Sequence, residues 1–203
     1  RRRDLEIRGI GARRLIEHPA NQNFLAKVLG EPACPVPMMQ YRIYPPGAHT
    51  TMIHQDGVYS PGIEDYRPVW MPLVPIPRNV GGVKMAIGQH TRGYFHNLAR
   101  PSPFPLVAGR IDPDSWATTD YEPGDVLIVH HCAPHGSLPN TSEYVRVSVD
   151  TRVQSAARPT AFFGKVTAFT PNSVTLATDR EGDVTLSVGE DTFIRVLHPG
   201  IRQ

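Results

Sequence analysis

Proline and glycine break this chain so often that long helices are excluded. There are 21 prolines and 17 glycines in 203 residues. A proline inside a helix removes a backbone hydrogen bond and clashes with the turn before it. A chain punctuated in this way folds from short strands joined by turns, so a mainly β body is expected. The length suits one domain, or one domain with a small module.

One stretch escapes the punctuation. Within residues 4 to 30, Leu5, Ile7, Ile10, Leu15, Phe24, Leu25, Val28 and Leu29 recur at roughly helical spacing, which predicts N-terminal helices. "HPANQNFLAKVLG" predicts one that stops at Gly30. Five strand signals follow: "MMQYRIYPPG", "RPVWMPLVPI", "GGVKMAIGQH", "GDVLIVHH" and "YVRVSVDTRVQ". In the last, Val145, Val147 and Val149 share one face, and Arg146, Ser148, Asp150 and Arg152 share the other. Its polar face either meets water or lines a polar pocket inside a barrel, and periodicity leaves both readings open. The texture changes again after "SAARP". Residues 159–203 read as a small β module of four or five short strands, beside a main domain of residues 1–158. The chain opens on Arg1 rather than Met, so it need not begin at the native N-terminus.

The formal net charge of +2 gives no reason to expect nucleic acid or an anionic membrane as a partner. Two cysteines, Cys34 and Cys132, cannot build a disulfide framework or a Cys-rich zinc site. With neither a signal peptide nor a transmembrane run, the chain is read as cytoplasmic by default.

The chemistry concentrates in "TMIHQDGVYSPG", residues 51 to 62. Nine His and eleven Asp predict about half an HxD pair by chance, so His54-x-Asp56 alone is weak. On a strand, residues i and i+2 share a face, and the pair would point to one place. Two histidines and a carboxylate on one face of a metal leave three positions open. The third ligand must come from elsewhere, with His90, His96, His130, His131 and His135 as candidates. His135 stands between Pro134 and Gly136, on an expected turn just beyond an apolar strand. Pro134 blocks a helix-borne pair of His131 and His135. Eleven residues after His135, Arg146 could hold a carboxylate by two hydrogen bonds.

The set His54, Asp56, His135 and Arg146 resembles the phytanoyl-CoA dioxygenase family. "PPG…HQDGVY" resembles its first ligand strand and "GDVLIVHHCAPHGSLPN" its second. "VWMPLVPIPRNVGGVKMAIGQHTRG" is similar to the family's stretch between them, although Ile87 stands where a Pro is usual. The resemblance covers about residues 20 to 155. It implies a double-stranded β-helix (jelly roll, cupin-like) with flanking N-terminal helices; the small C-terminal β module departs from the core family. It implies an Fe(II)- and 2-oxoglutarate-dependent dioxygenase that uses O2, hydroxylates a small-molecule C–H bond and releases succinate and CO2. His54, Asp56 and His135 would be the iron ligands and the catalytic centre. Arg146, Ser137, Trp70 and Gln40 would bind the co-substrate. Tyr59, Arg92 and Tyr94 would meet the substrate, in loops that also carry Tyr66, Arg67, Arg100 and Arg110. These arginines permit an anionic substrate. A carboxylate at 56, rather than a small residue, argues for oxygenation over halogenation. Metal binding should weaken below about pH 6, where histidine protonates. The chain is expected to act as a monomer or homodimer.

Plainer roles stand beside these. Asp56 could be a turn aspartate before Gly57, Trp70 a core residue, and His90 and His96 exposed loop residues. Arg152 shares a strand face with Arg146 and is a rival for the co-substrate, or a salt-bridge partner of Asp150 or of the module. The competing classes are a non-catalytic cupin-like binding protein and a zinc hydrolase.

Overall fold

The computed structural model describes residues 3–5, 10–48, 50–60, 66–99, 106–159, 162, 164–178 and 182–189. β1 (Arg3–Leu5) leads to α1 (Ile10–Glu17) and α2 (Pro19–Leu29). Then come β2 (Ala33–Tyr44), β3 (Arg67–Pro72), β4 (Val83–Ala86), β5 (Trp116–Ala117), β6 (Leu127–Ile128), β7 (His135–Ser137) and β8 (Arg146–Ser155). β9 (Gly164–Thr170), β10 (Ser173–Thr178) and β11 (Gly182–Ser187) follow. No helix among the described residues is long and apolar enough to cross a membrane.

The sheets are antiparallel. Five strands pair in the order β1-β2-β8-β3-β6, and three in the order β5-β4-β7. One cavity is lined by Arg42 of β2, Trp70 of β3, Val83 of β4, His135 of β7 and Arg146 of β8, so the two sheets face each other across it. This is the double-stranded β-helix. β9, β10 and β11 form a third, separate sheet. The expected strand signal in "TFIRVL" lies outside the described residues.

The central place of β8 decides which reading of its alternation holds. It pairs with β2 on one side and β3 on the other. Val149 and Val153 pack with Val69, Met71, Ala33, Ile16 and Leu25 beneath the helices. Arg146, Ser148 and Arg152 are buried on the opposite face, so the polar side lines the barrel interior and not water. Each fully buried aliphatic side chain contributes about 1.5–3 kcal/mol. That anchors β8 firmly enough to hold charged groups inside.

α2 follows its sequence signals closely. His18 Nδ1 accepts from the Ala20 amide, Pro19 fills the first turn, and Gly30 ends the helix with φ 76°. The helical pattern is narrower than its spacing suggests. Ile16 and Leu25 are buried, but Leu15, Phe24 and Val28 are exposed on the outer side. Leu5 is not helical at all: it pairs with Tyr41 at the sheet edge. The "GDVLIVHH" strand shrinks to β6, and "GGVKMAIGQH" becomes β4 followed by a 3-10 turn.

Candidate metal centre

His135 lies on β7 and not on a turn. Its amide donates to the His54 carbonyl at 2.9 Å, and the His54 amide donates back to the His135 carbonyl at 2.8 Å. The Ser137 amide reaches the Thr51 carbonyl at 3.1 Å, while Met85 of β4 pairs with His135 on the other side. Pro134 and Gly136 look like a turn in sequence, but these pairings across the fold overrule them. Gly136 is required by the close approach: a Cβ there would stand 3.2 Å from Ile53 Cα and from the Thr51 carbonyl oxygen. The reciprocal pairing sets the two imidazoles side by side, with ring centroids 4.3 Å apart.

Asp56 begins a short 3-10 turn and aims between them. Its Oδ2 lies 3.5 Å from His135 Nε2, and its Oδ1 lies 3.8 Å from His54 Nε2. Each ring is keyed by its other nitrogen. His54 Nδ1 bonds the Met52 carbonyl and His135 Nδ1 the Ala133 carbonyl, both at 2.9 Å. A carbonyl only accepts, so each Nδ1 carries the proton and each Nε2 presents a lone pair. Two bare imidazole nitrogens and a carboxylate, mutually within 4.8 Å, form a ready ligand set for a divalent metal.

The electrostatics agree with that use. Burial, helped by the adjacent His135 imidazole, lowers His54 from 6.5 to about 4. Burial alone would raise Asp56. The Arg152 guanidinium, aided by the two imidazoles, outweighs it and holds the carboxyl well below the usual range. His54 therefore keeps its lone pair below the pH of about 6 expected from an ordinary histidine. The metal-free fold should feel this on its acid side. Between pH 6.5 and about 4 the unfolded chain protonates His54 and the folded chain does not. Stability is full above 6.5 and falls as pH drops, by about 3 kcal/mol across the window. The depressed Asp56 adds a further loss at lower pH. Denaturant titration at pH 7, 5.5 and 4 reads the slope, which His54→Gln should flatten.

The same cavity holds a second set of polar groups. Arg146 is 1% exposed. Its Nη1 donates to the Gly81 carbonyl at 2.7 Å and to Ser137 Oγ at 3.0 Å. Its guanidinium lies over the rings of Tyr44 at 4.7 Å and Trp70 at 5.4 Å. Burial lowers it to about 10, so it stays cationic at neutral pH. Arg146 Nε and Trp70 Nε1 are buried without a hydrogen-bond partner among the described residues. Unmet donors of this kind call for an acceptor. The cavity has about 50 Å³ open to water-sized spheres, room for about four waters at roughly 10–15 Å³ each. That leaves space for a small dicarboxylate beside the triad.

The remaining predicted residues fall in different places. Arg152 Nη2 donates to Asp56 Oδ1 at 2.7 Å, and Asp150 is paired by Arg42. Arg152 thus pairs with the ligand carboxylate, a partner the sequence reading did not name. Gln40 does not line the cavity; it accepts from Arg42 at 2.8 Å. Trp70 packs edge-on to Tyr121 at 4.9 Å and also lines the cavity. Tyr59 stands 6.0 Å from the His54 ring and 6.1 Å from that of His96. Arg92 and Arg110 each lie 5.7 Å over the Phe95 ring. Burial, with the neighbouring Cys132, pushes the Tyr94 hydroxyl up to about 12. Arg100 lies outside the described residues.

Gln55, the spacer of the HxD pair, is the residue that sequence reasoning missed. It is fully buried. Its Nε2 donates to the Gly93 and Cys132 carbonyls at 2.9 and 2.6 Å, and its Oε1 accepts from the Phe95 amide at 2.7 Å. It ties the ligand segment to two loops at once. Gln55→Ala should cost about 2–3 kcal/mol, because it leaves buried backbone groups unmet. A loss under about 0.5 kcal/mol in denaturant unfolding would contradict this role.

A two-histidine, one-carboxylate triad inside a double-stranded β-helix defines a metal-binding protein of the jelly-roll class. The chain belongs to the phytanoyl-CoA dioxygenase (PhyH) family, whose model matches residues 1–148. The 1-deoxypentalenic acid 11-beta-hydroxylase of Streptomyces exfoliatus is 34% identical over 165 residues, covering 73% of this chain and 58% of that protein. The chain thus spans little more than half the length of this curated relative. Among solved structures, the epimerase SnoN in complex with Fe3+, alpha ketoglutarate and nogalamycin RO matches with a TM-score of 0.61. It is 18% identical, covering 83% of this chain and 77% of that one. The alpha ketoglutarate-dependent carbocyclase SnoK from nogalamycin biosynthesis matches with a TM-score of 0.59. It is 22% identical, covering 71% and 58%. These two likenesses show the fold.

Proposed function

We propose that the protein is a non-haem Fe(II)- and 2-oxoglutarate-dependent oxygenase that hydroxylates a C–H bond of a small acidic molecule. One observation carries the reading: the triad and the unmet Arg146 donor share a cavity of co-substrate size. His54 Nε2, His135 Nε2 and Asp56 Oδ2 would hold iron, with Oδ1 committed to Arg152. Iron bound there with 2-oxoglutarate and O2 supplies the oxidation, giving hydroxylated product, succinate and CO2.

The chain's own residues prepare that reaction. Arg146 and Ser137 bind the far carboxylate of 2-oxoglutarate by charge-assisted bonds at low dielectric. Trp70, Val83 and Val129 line the cavity and limit water around the oxidant. The keyed imidazoles hold the ligand geometry without reorganisation. Hydroxylation of an acid is what the Streptomyces relative's name describes. Arg92 and Arg110, on exposed loops flanking Phe95, offer the positive charge an acid needs. Neither cysteine is in a disulfide, which fits a reducing, cytoplasmic setting. We take residues 159–203 as a separate small β module beside the oxygenase domain.

Metal-free protein given Fe(II), ascorbate, 2-oxoglutarate and a panel of small carboxylic acids tests this. Succinate should form in step with hydroxylated product for at least one acid. Iron retained with no succinate from any acid, or from 2-oxoglutarate alone, would leave a non-catalytic binding protein.

A further inference from the structure

We propose that His130, His131 and Cys132 form a second metal site that takes zinc or another thiophilic divalent ion. The inference does not rest on the oxygenase reading. A ligand nitrogen from each of His130 and His131 lies within 4.8 Å of the other and of Cys132 Sγ. The turn that carries them is closed by the Ala133 amide donating to the His130 carbonyl at 2.7 Å. The His130 and His131 rings stand 4.5 Å apart, and the His90 ring stands 4.9 Å from that of His130. All three turn residues are half-buried, within reach of an ion from solvent.

The donor types differ from those of the triad. The triad offers nitrogen and oxygen and leaves positions open. This cluster offers sulfur and nitrogen, donors that suit zinc, and its three protein ligands would leave one position to water. Cys132 would bind as the thiolate, its proton passing to water. The Cys132 amide donates to His130 Nδ1 at 3.1 Å. A metal at that nitrogen would displace this one bond and form several.

The backbone is already fixed for the purpose. The Gly57 amide donates to the His131 carbonyl at 3.0 Å, and Gln55 donates to the Cys132 carbonyl. A Cβ on Gly57 would run into the Tyr94 hydroxyl and the His131 ring. The turn is thus locked onto the segment bearing His54 and Asp56, and it leads three residues later into His135. Metal here would brace that frame from outside the cavity.

Titration of the metal-free protein with Co(II) tests the proposal. Sulfur bound to Co(II) gives a near-ultraviolet charge-transfer band that the triad, which has no sulfur, cannot give. Two equivalents should bind, with the band rising for one of them and persisting in His54→Gln. Cys132→Ser should lose the band, bind one equivalent and weaken Zn(II) binding on the order of a hundredfold or more. Zn(II) should also slow alkylation of Cys132 in the unaltered protein, read by mass spectrometry, whatever the folding of the variant. A single equivalent with no sulfur band would overturn the site. So would a band that survives Cys132→Ser, or Zn(II) that leaves Cys132 alkylation unchanged.

Discussion

Replacing Asp56 by alanine is expected to abolish iron retention at the triad and to destabilise the fold by about 3–5 kcal/mol. Two separate losses meet at this residue. The metal loses its only carboxylate ligand, and the two imidazoles alone cannot hold a divalent iron well. Arg152, 8% exposed, loses the acceptor at 2.7 Å that keeps its charge tolerable inside the barrel. A buried charge that loses a carboxylate bonded this closely costs up to about that much. The double variant Asp56→Ala with Arg152→Met separates the effects. It should recover most of the stability, since a paired buried charge and an apolar side chain of similar volume are nearly equivalent. It should recover none of the metal binding. Iron content and denaturant unfolding on the three proteins read both. An unchanged unfolding midpoint in Asp56→Ala would show that the ion pair does not anchor the site.

Arg146→Ala is expected to raise the KM for 2-oxoglutarate at least about thirtyfold, with metal affinity changed less than about threefold. Removing one partner of a buried, hydrogen-bonded charge pair costs about 2–5 kcal/mol, or thirtyfold and more. Ser137→Ala, which removes a neutral hydroxyl, should cost about 1 kcal/mol, roughly fivefold. The co-substrate-free protein should respond the other way. Arg146 has no carboxylate within bonding distance in the described structure, so Arg146→Met is expected to leave the fold as stable or more so. Co-substrate titrations and unfolding curves on the same variant carry both outcomes. An unaltered KM would move the co-substrate elsewhere in the cavity.

What the sequence reveals about this site is its spacing. Arg146 keeps the alternating strand its neighbours signal. His54 and Asp56 do converge, but through an isolated bridge at His54 and a 3-10 turn that Asp56 opens, and not as i and i+2 of one strand. What is hidden depends on which segments meet. Alternation in "YVRVSVDTRVQ" reads the same whether the polar face sees water or a barrel interior. The answer came from β8 lying between β2 and β3 with helices over its other face. Arg152 looks like a partner for Asp150, two residues away on its own strand. Its acceptor is Asp56, 96 residues away, while Arg42 from β2 takes Asp150. Gln55 carried no signal, because an HxD motif treats its middle position as empty. His135 read as a turn residue since Pro134 and Gly136 flank it, and only the reciprocal bonds to His54 make it a strand. The helices show the same limit. Leu15 and Phe24 fit the period and are exposed, while Ile16, outside that pattern, is buried with Leu25.

The central claim is that one cavity holds iron on His54, Asp56 and His135 and a keto acid against Arg146. Anaerobic titration of the Fe(II)-loaded protein with 2-oxoglutarate measures this directly. A keto acid chelating ferrous iron produces a visible charge-transfer band, which succinate, lacking the keto group, cannot produce. The account predicts a saturable band at one 2-oxoglutarate per iron, needing much higher concentrations in Arg146→Ala and absent in Asp56→Ala. Iron bound in full with no band at any 2-oxoglutarate concentration would contradict it.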